Sequence, residues 1–166
     1  FKQSDLGIFI HWGVYSVPAY APVDTEDFAT IVREKPDEYL FANQPYAEWY
    51  KNSMAIKDSP AHKYHKKYYG DMAYEEFAKA FMQSAKNVDV EKWADMFSSA
   101  GAKYVVLVTK HHDGFVMFNT KHPNPRLGNY NLDFDFIGDL AMACRGKGMR
   151  FGVYYSSLLD WTFTDK

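Results

Sequence analysis

Tyr104-Val105-Val106-Leu107-Val108-Thr109 runs directly into Lys110-His111-His112-Asp113-Gly114-Phe115. The first six residues are short, largely β-branched and nearly continuous in apolarity. That is the pattern of a parallel strand buried on both faces. Two histidines and an aspartate then stand where the strand leaves its sheet, the place where α/β folds bind ligands. The arrangement recurs: Gly7-Ile8-Phe9-Ile10 runs into His11-Trp12-Gly13, and Phe151-Gly152-Val153 into Tyr154-Tyr155-Ser156. Three strands delivering polar and aromatic groups at their C-terminal ends imply one site built by several strands.

Helical patterns lie between these strands. Asp89 is a good N-cap for a helix whose apolar stripe is Val90, Trp93, Ala94 and Phe97, with Gly101 as its C′ glycine. Asp135 caps a second helix, whose inner face is Ile137, Leu140, Ala141 and Cys144 and which Gly148 ends. Strands at Gly7 to His11, Tyr104 to Thr109 and Arg150 to Tyr155 then alternate with helices. The order strand, helix, strand with short αβ turns is a βαβ crossover, so the strands are parallel. Long loops only after strands fit the N-terminal portion of a (β/α)8-like, TIM-type barrel. Three strands would be a third to a half of one, given roughly 250 residues for the whole. A doubly wound sheet is the alternative, but His11-Trp12-Gly13-Val14-Tyr15 does not match the Gly-rich phosphate turn it would carry.

The stretch from Tyr15 to Tyr74 is harder to read. Tyr15 to Asp27 is expected as loop, and Asp27 to Glu38 as helical or irregular, broken at Pro36. Pro45 to Met54 reads as a helix with an early proline. Asp58 to Asp71 reads as a polar, His- and Lys-rich connection, and Tyr74 to Phe81 as an amphipathic helix. Phe115 to Leu132 is a long loop.

Composition narrows the function. The 166 residues are 47% hydrophobic and 24% charged with net charge -2, an ordinary globular balance with no field that selects nucleic acid or an anionic membrane. Lys63, Lys66 and Lys67 form the basic cluster and read as a solvated loop. No apolar run reaches the roughly 18 residues of a membrane-spanning helix. A single cysteine, Cys144, rules out an internal disulfide, reads as a small buried residue and leaves the compartment open. No signal peptide is visible, and both ends look abrupt, so the chain reads as part of something longer. Aromatic residues make up 18% of the chain, enough to cover sugar faces as well as fill a core.

The strand-end residues limit the chemistry. Strict alternation would send His111 and His112 to opposite faces, so both reach one ligand only if the backbone turns there, as Gly114 permits. Tyr154 and Tyr155 likewise face opposite ways, and alternation does not choose between them. By helical period Glu48 would face solvent. His11, His111, His112 and Asp113 are types that bind zinc, but the first strand carries His-Trp rather than His-x-His, and H-E-x-x-H is absent. No G-x-S-x-G elbow supports a serine nucleophile. Histidine and carboxylate read hydroxyl groups at short range and indole covers apolar sugar faces, so the residues suggest a carbohydrate site.

Gly7 to Tyr20 (GIFIHWGVYSVPAY), Glu48-Trp49-Tyr50, Trp93-Ala94-Asp95 with Ala100 to Leu107, and Thr109-Lys110-His111-His112-Asp113-Gly114-Phe115 together resemble the α-L-fucosidases, family 29 of the glycoside hydrolases. The likeness resumes at Gly138-Asp139-Leu140 and Phe151 to Ser156 and spans nearly the whole chain in order. It implies a (β/α)8-like barrel that removes terminal α-L-fucose with retention, needs no metal or other cofactor, and takes fucose-containing glycans as partners. The positions that match the family's fucose pocket are His11, Glu48, Trp49, His111, His112 and Tyr154. The resemblance thus makes Glu48 a ligand-binder and prefers Tyr154 to Tyr155.

The same likeness assigns no catalytic residue to this chain. The family's nucleophile is an aspartate at the end of the next strand, and its acid/base comes later still. Glu48 and Asp113 match neither, and Asp160 does not match the nucleophile motif. A retaining glycosidase needs two carboxyls about 5–5.5 Å apart, so residues 1–166 alone are expected to be inactive. They are read as the first three or so βα units of one catalytic barrel domain, and the exposed sheet edge would favour aggregation or a homo-oligomer. The loop Lys121 to Leu132 is expected on the aglycone side. The substrate class suits a periplasmic or secreted setting. A non-catalytic fucose-binding barrel and a metal-dependent hydrolase using His11, His111 and His112 are the alternatives.

Overall fold

The computed structural model describes residues 5–23 and 27–163. The termini and residues 24–26, where part of the first expected loop falls, lie outside the described residues. The chain divides into two compact units, Phe1–Gly13 with Phe81–Lys166, and Val14–Ala80.

The first unit is an α/β layer. Its strands are β1 (Gly7–Ile10), β2 (Tyr104–Lys110) and β3 (Arg150–Tyr155). They form one parallel sheet in the order β1-β2-β3. The central strand is buried on both faces from Val105 to Lys110 except at half-buried Val106, as its apolar run requires. The edge strands leave Phe9, Val153 and Tyr155 each at least half exposed. Gly7 is paired with Tyr104, whose ring lies where a Cβ on Gly7 would be, so any side chain there would have to displace that ring.

Two helices connect these strands with their caps as read. In α6 (Val90–Ser99) Asp89 accepts from the Lys92 N–H, and in α7 (Phe136–Gly146) Asp135 accepts from the Gly138 N–H. Each carboxylate satisfies an orphan N–H and sits at the positive end of its helix. Gly101 and Gly148, with φ of +87° and +75°, turn the chain from each helix toward its strand. Leu140, Ala141 and Cys144 are buried along α7. The loop after β2 is more ordered than a polar connection. Val116 bridges Lys110 and Asn131, and Phe115, Met117, Tyr130 and Leu132 are buried.

The second unit is helical. The Asp27–Glu38 segment is two helices, α1 (Phe28–Glu34), capped by the Asp27 carboxylate, and α2 (Asp37–Ala42), with Pro36 between them. The expected Pro45–Met54 helix is a 3-10 turn, Ala47–Trp49, leading into α3 (Tyr50–Ala55). The expected polar connection is instead α4 (Pro60–Tyr69), whose N-cap Ser59 accepts from the His62 N–H and whose first residue is a proline. Ala61 and His65, four residues apart, form its buried stripe, with Tyr64 and Tyr69 half-buried beside them. Lys63, Lys66 and Lys67 are exposed as expected, but on a helix rather than a loop. The chain passes to the first unit within α5 (Phe77–Ala85). No helix among the described residues is long and apolar enough to cross a membrane.

Candidate sugar-binding site at the strand ends

A one-residue irregularity in the sheet decides where the histidines point. Tyr154 pairs with Val108, yet Tyr155 pairs with Lys110, so Thr109 is an extra residue on β2. Without it Lys110 would share the face of Val108 and Tyr154. The bulge re-aims the strand end. Lys110 goes to the Tyr155 side, with its ammonium 5.4 Å from that ring's centroid. His111 goes to the Tyr154 side, with ring centroids 6.1 Å apart.

Four rings therefore gather on one face. His11 lies 5.7 Å from His111 and 6.5 Å from Tyr154. Phe9 sits beneath them, 4.5 Å from His11 and 5.8 Å from Tyr154. His112 joins as the backbone turns, 4.2 Å from His111. Gly114 makes that turn with φ of +83°, and its N–H donates to the His111 carbonyl. The turn foreseen at Gly114 thus brings both histidines to one place.

His111 is buried, and burial pushes its pKa down to about 3, with the neighbouring His112, His11 and Lys110 charges adding to the effect. It is neutral at neutral pH, with one ring nitrogen a donor and the other an acceptor. That suits a hydroxyl, which also offers both.

The aspartates near the rings have structural partners. Asp113 is wholly buried and accepts from the Phe115 N–H. Asp160 pairs with Lys110 at 2.9 Å. Burial raises the Asp160 pKa, but hydrogen bonds from Thr162 and Lys110 outweigh it and hold the carboxyl below its usual range. Trp12 packs against Phe81, Trp93 and Phe136, so it belongs to the core of this unit.

Glu48 and Trp49 lie in the other unit, on the 3-10 turn Ala47–Trp49. Both are half-buried, where helical period would have put Glu48 toward solvent. Trp49 stacks on Phe41 at 5.9 Å and 15°.

Sequence reasoning missed the residues that frame His112. Its Nδ1 lies 2.7 Å from Ser156 Oγ, and its carbonyl accepts from the Trp161 N–H at 2.8 Å. The Trp161 ring meets the imidazole edge-on. Ser156 belongs to the Phe151 to Ser156 motif, which gives it no role, and no pattern in the sequence marks Trp161.

A family model for alpha-L-fucosidase matches residues 1–165. Tissue alpha-L-fucosidase of Bos taurus is 33% identical over 168 residues, covering 97% of this chain and 29% of the relative. Human plasma alpha-L-fucosidase is 34% identical over 164 residues, with 97% and 29% covered. The chain thus spans under a third of the length of these curated relatives. Among solved structures, the Thermotoga maritima alpha-fucosidase in complex with fucose is 47% identical at a TM-score of 0.77, over 95% of this chain and 34% of that one. The Lactobacillus casei alpha-L-fucosidase in complex with its fucose product is 30% identical at a TM-score of 0.56, with 93% and 39% covered. This α/β chain belongs to the alpha-L-fucosidase family and matches the N-terminal part of its catalytic domain.

Proposed function

We propose that the natural full-length protein containing this sequence is a retaining exo-α-L-fucosidase acting on fucose-containing glycans. In this reading residues 1–166 begin a single (β/α)8-like catalytic barrel, and His11, Glu48, Trp49, His111, His112 and Tyr154 bind the sugar. The observation that carries it is the gathering of His11, His111, His112 and Tyr154 at the strand ends of a chain in this family. Glu48 and Trp49 enter on the Glu-Trp-Tyr motif alone.

Neutral imidazoles exchange hydrogen bonds with sugar hydroxyls, and contacts that tighten as the ring flattens toward an oxocarbenium ion lower the barrier. The phenol and indole suit the apolar sugar face and C5 methyl. The nucleophile and acid/base come from residues outside this sequence. Asp113 and Asp160 are poor stand-ins, since one holds a backbone N–H and the other a lysine.

The test is hydrolysis of a chromogenic α-L-fucoside by the natural full-length protein, with the first-formed anomer followed by proton NMR. Release of α-L-fucose first supports the reading. β-L-fucose first contradicts retention. Fucose binding without turnover would favour a non-catalytic barrel, and chelator-sensitive turnover restored by zinc would favour a metal-dependent hydrolase.

A further inference from the structure

Resting on the sugar-binding reading of His112, we propose that Ser156 fixes the tautomer of this histidine, and that Lys110, Asp160 and Thr162 are positioning residues that hold Ser156 in place. The Ser156 hydroxyl has one proton. It donates that proton to the Leu159 carbonyl at 3.1 Å, a group that only accepts. The 2.7 Å contact to His112 Nδ1 then requires the imidazole to be the donor. His112 is therefore the Nδ1–H tautomer when neutral, and its Nε2 carries the lone pair. A sugar hydroxyl meeting Nε2 gives its proton to it rather than accepting one.

The segment carrying Ser156 is clamped from below. The buried Lys110 ammonium donates to the Ser156 carbonyl at 2.8 Å and pairs with the Asp160 carboxylate at 2.9 Å. The other Asp160 oxygen accepts from the Thr162 N–H at 2.9 Å and from its hydroxyl at 2.6 Å. Thr162 Oγ1 in turn accepts from the Asn124 amide at 2.8 Å. Thr162 also lies close against the histidine turn, since a Cβ at Gly114 would collide with its methyl. The clamp thus ties the loop after β3 to the turn after β2, and His112 is held by both. A buried pair of this kind is weak evidence for stability and better evidence for geometry.

Long-range proton–nitrogen NMR of the His112 ring tests this in the natural full-length protein without ligand. The expected result is a protonated Nδ1 and a lone-pair Nε2 in the wild type. Ser156→Ala should raise the Nε2–H fraction. Asp160→Asn, or Thr162→Val should the first fail to fold, should shift the His112 ring signals while leaving those of His11 in place. An Nε2–H ring in the wild type, or His112 signals unmoved in every variant, would overturn the proposal. Turnover supplies a second arm. Ser156→Ala should lower kcat/KM about tenfold, and should add less than about twofold on top of His112→Ala, because coupled sites are not additive. Losses that multiply would count against it. If His112→Ala itself leaves turnover unchanged, the sugar-binding reading of His112 fails, and the ring signals still decide the tautomer.

Discussion

Two buried histidines, one in each unit, sit in contrasting surroundings. His65 sits on α4 with both ring nitrogens engaged, Nδ1 at 2.9 Å from the Tyr50 hydroxyl and Nε2 at 2.8 Å from the Met72 carbonyl. Phe77 and Tyr69 pack around it. It joins α4 to the core of its unit. His111 is as deeply buried, but its neighbours are other polar rings at the mouth of a parallel sheet. Residue type and burial are the same. The place in the fold differs, and with it the role we propose for each, stability for His65 and recognition for His111.

Substituting the two separates these roles most sharply. His111→Ala in the natural full-length protein should lower kcat/KM on a chromogenic α-L-fucoside about 100-fold, or ~2.7 kcal/mol of transition-state stabilisation, with a smaller change in Tm. His112→Ala should cost at least about tenfold, ~1.4 kcal/mol. An unchanged value for either would remove that residue from the pocket. His65→Leu should do the reverse. It leaves the buried Tyr50 hydroxyl and Met72 carbonyl short of a partner, a loss of about 1–3 kcal/mol read as a lower Tm, while kcat/KM per folded molecule stays within about twofold.

The pH dependence sharpens the same comparison. The folded-state pKa of His111, about 3, lies below its unfolded value of 6.5. Between those values the unfolded chain binds the extra proton, so stability rises with pH across this window and levels off above it. Acid should therefore destabilise the protein progressively from about pH 6.5 downward, and His111→Phe should flatten that slope in denaturant titrations. An unaltered slope would mean that the buried imidazole is not what responds.

These contrasts also explain what was readable beforehand. The three strands, α6 and α7 were legible because apolar runs, carboxylate N-caps and C′ glycines all agreed there. α4 was not, because its buried stripe is Ala61 and His65 with tyrosines beside them, which reads as polar. The Ser59-Pro60 pair, an N-cap followed by proline at the first helical position, was the signal that could have found it. The cluster at the strand ends was legible in its residue types, and the resemblance prefers Tyr154 to Tyr155. The bulge at Thr109 was not, since nothing in a run of β-branched residues marks where one extra residue slips in. That slip puts His111 beside Tyr154, and the turn at Gly114 brings His112 against His111.

Smaller effects bound the account. Asp89→Ala removes the cap of α6 and should cost about 1 kcal/mol in chemical denaturation, without altering kcat. Replacing Lys63 and Lys67 by glutamine should move stability by less than about 0.5 kcal/mol, because both are solvated on the outer side of α4. A larger loss would mean that this face is covered by a partner.

The most direct measurement is a crystal structure of the natural full-length protein with L-fucose. The account predicts sugar hydroxyls at about 2.6–3.2 Å from the ring nitrogens of His111 and His112, with the sugar ring close to Tyr154. Fucose bound away from these strand ends, or no fucose at concentrations that inhibit turnover, would contradict it.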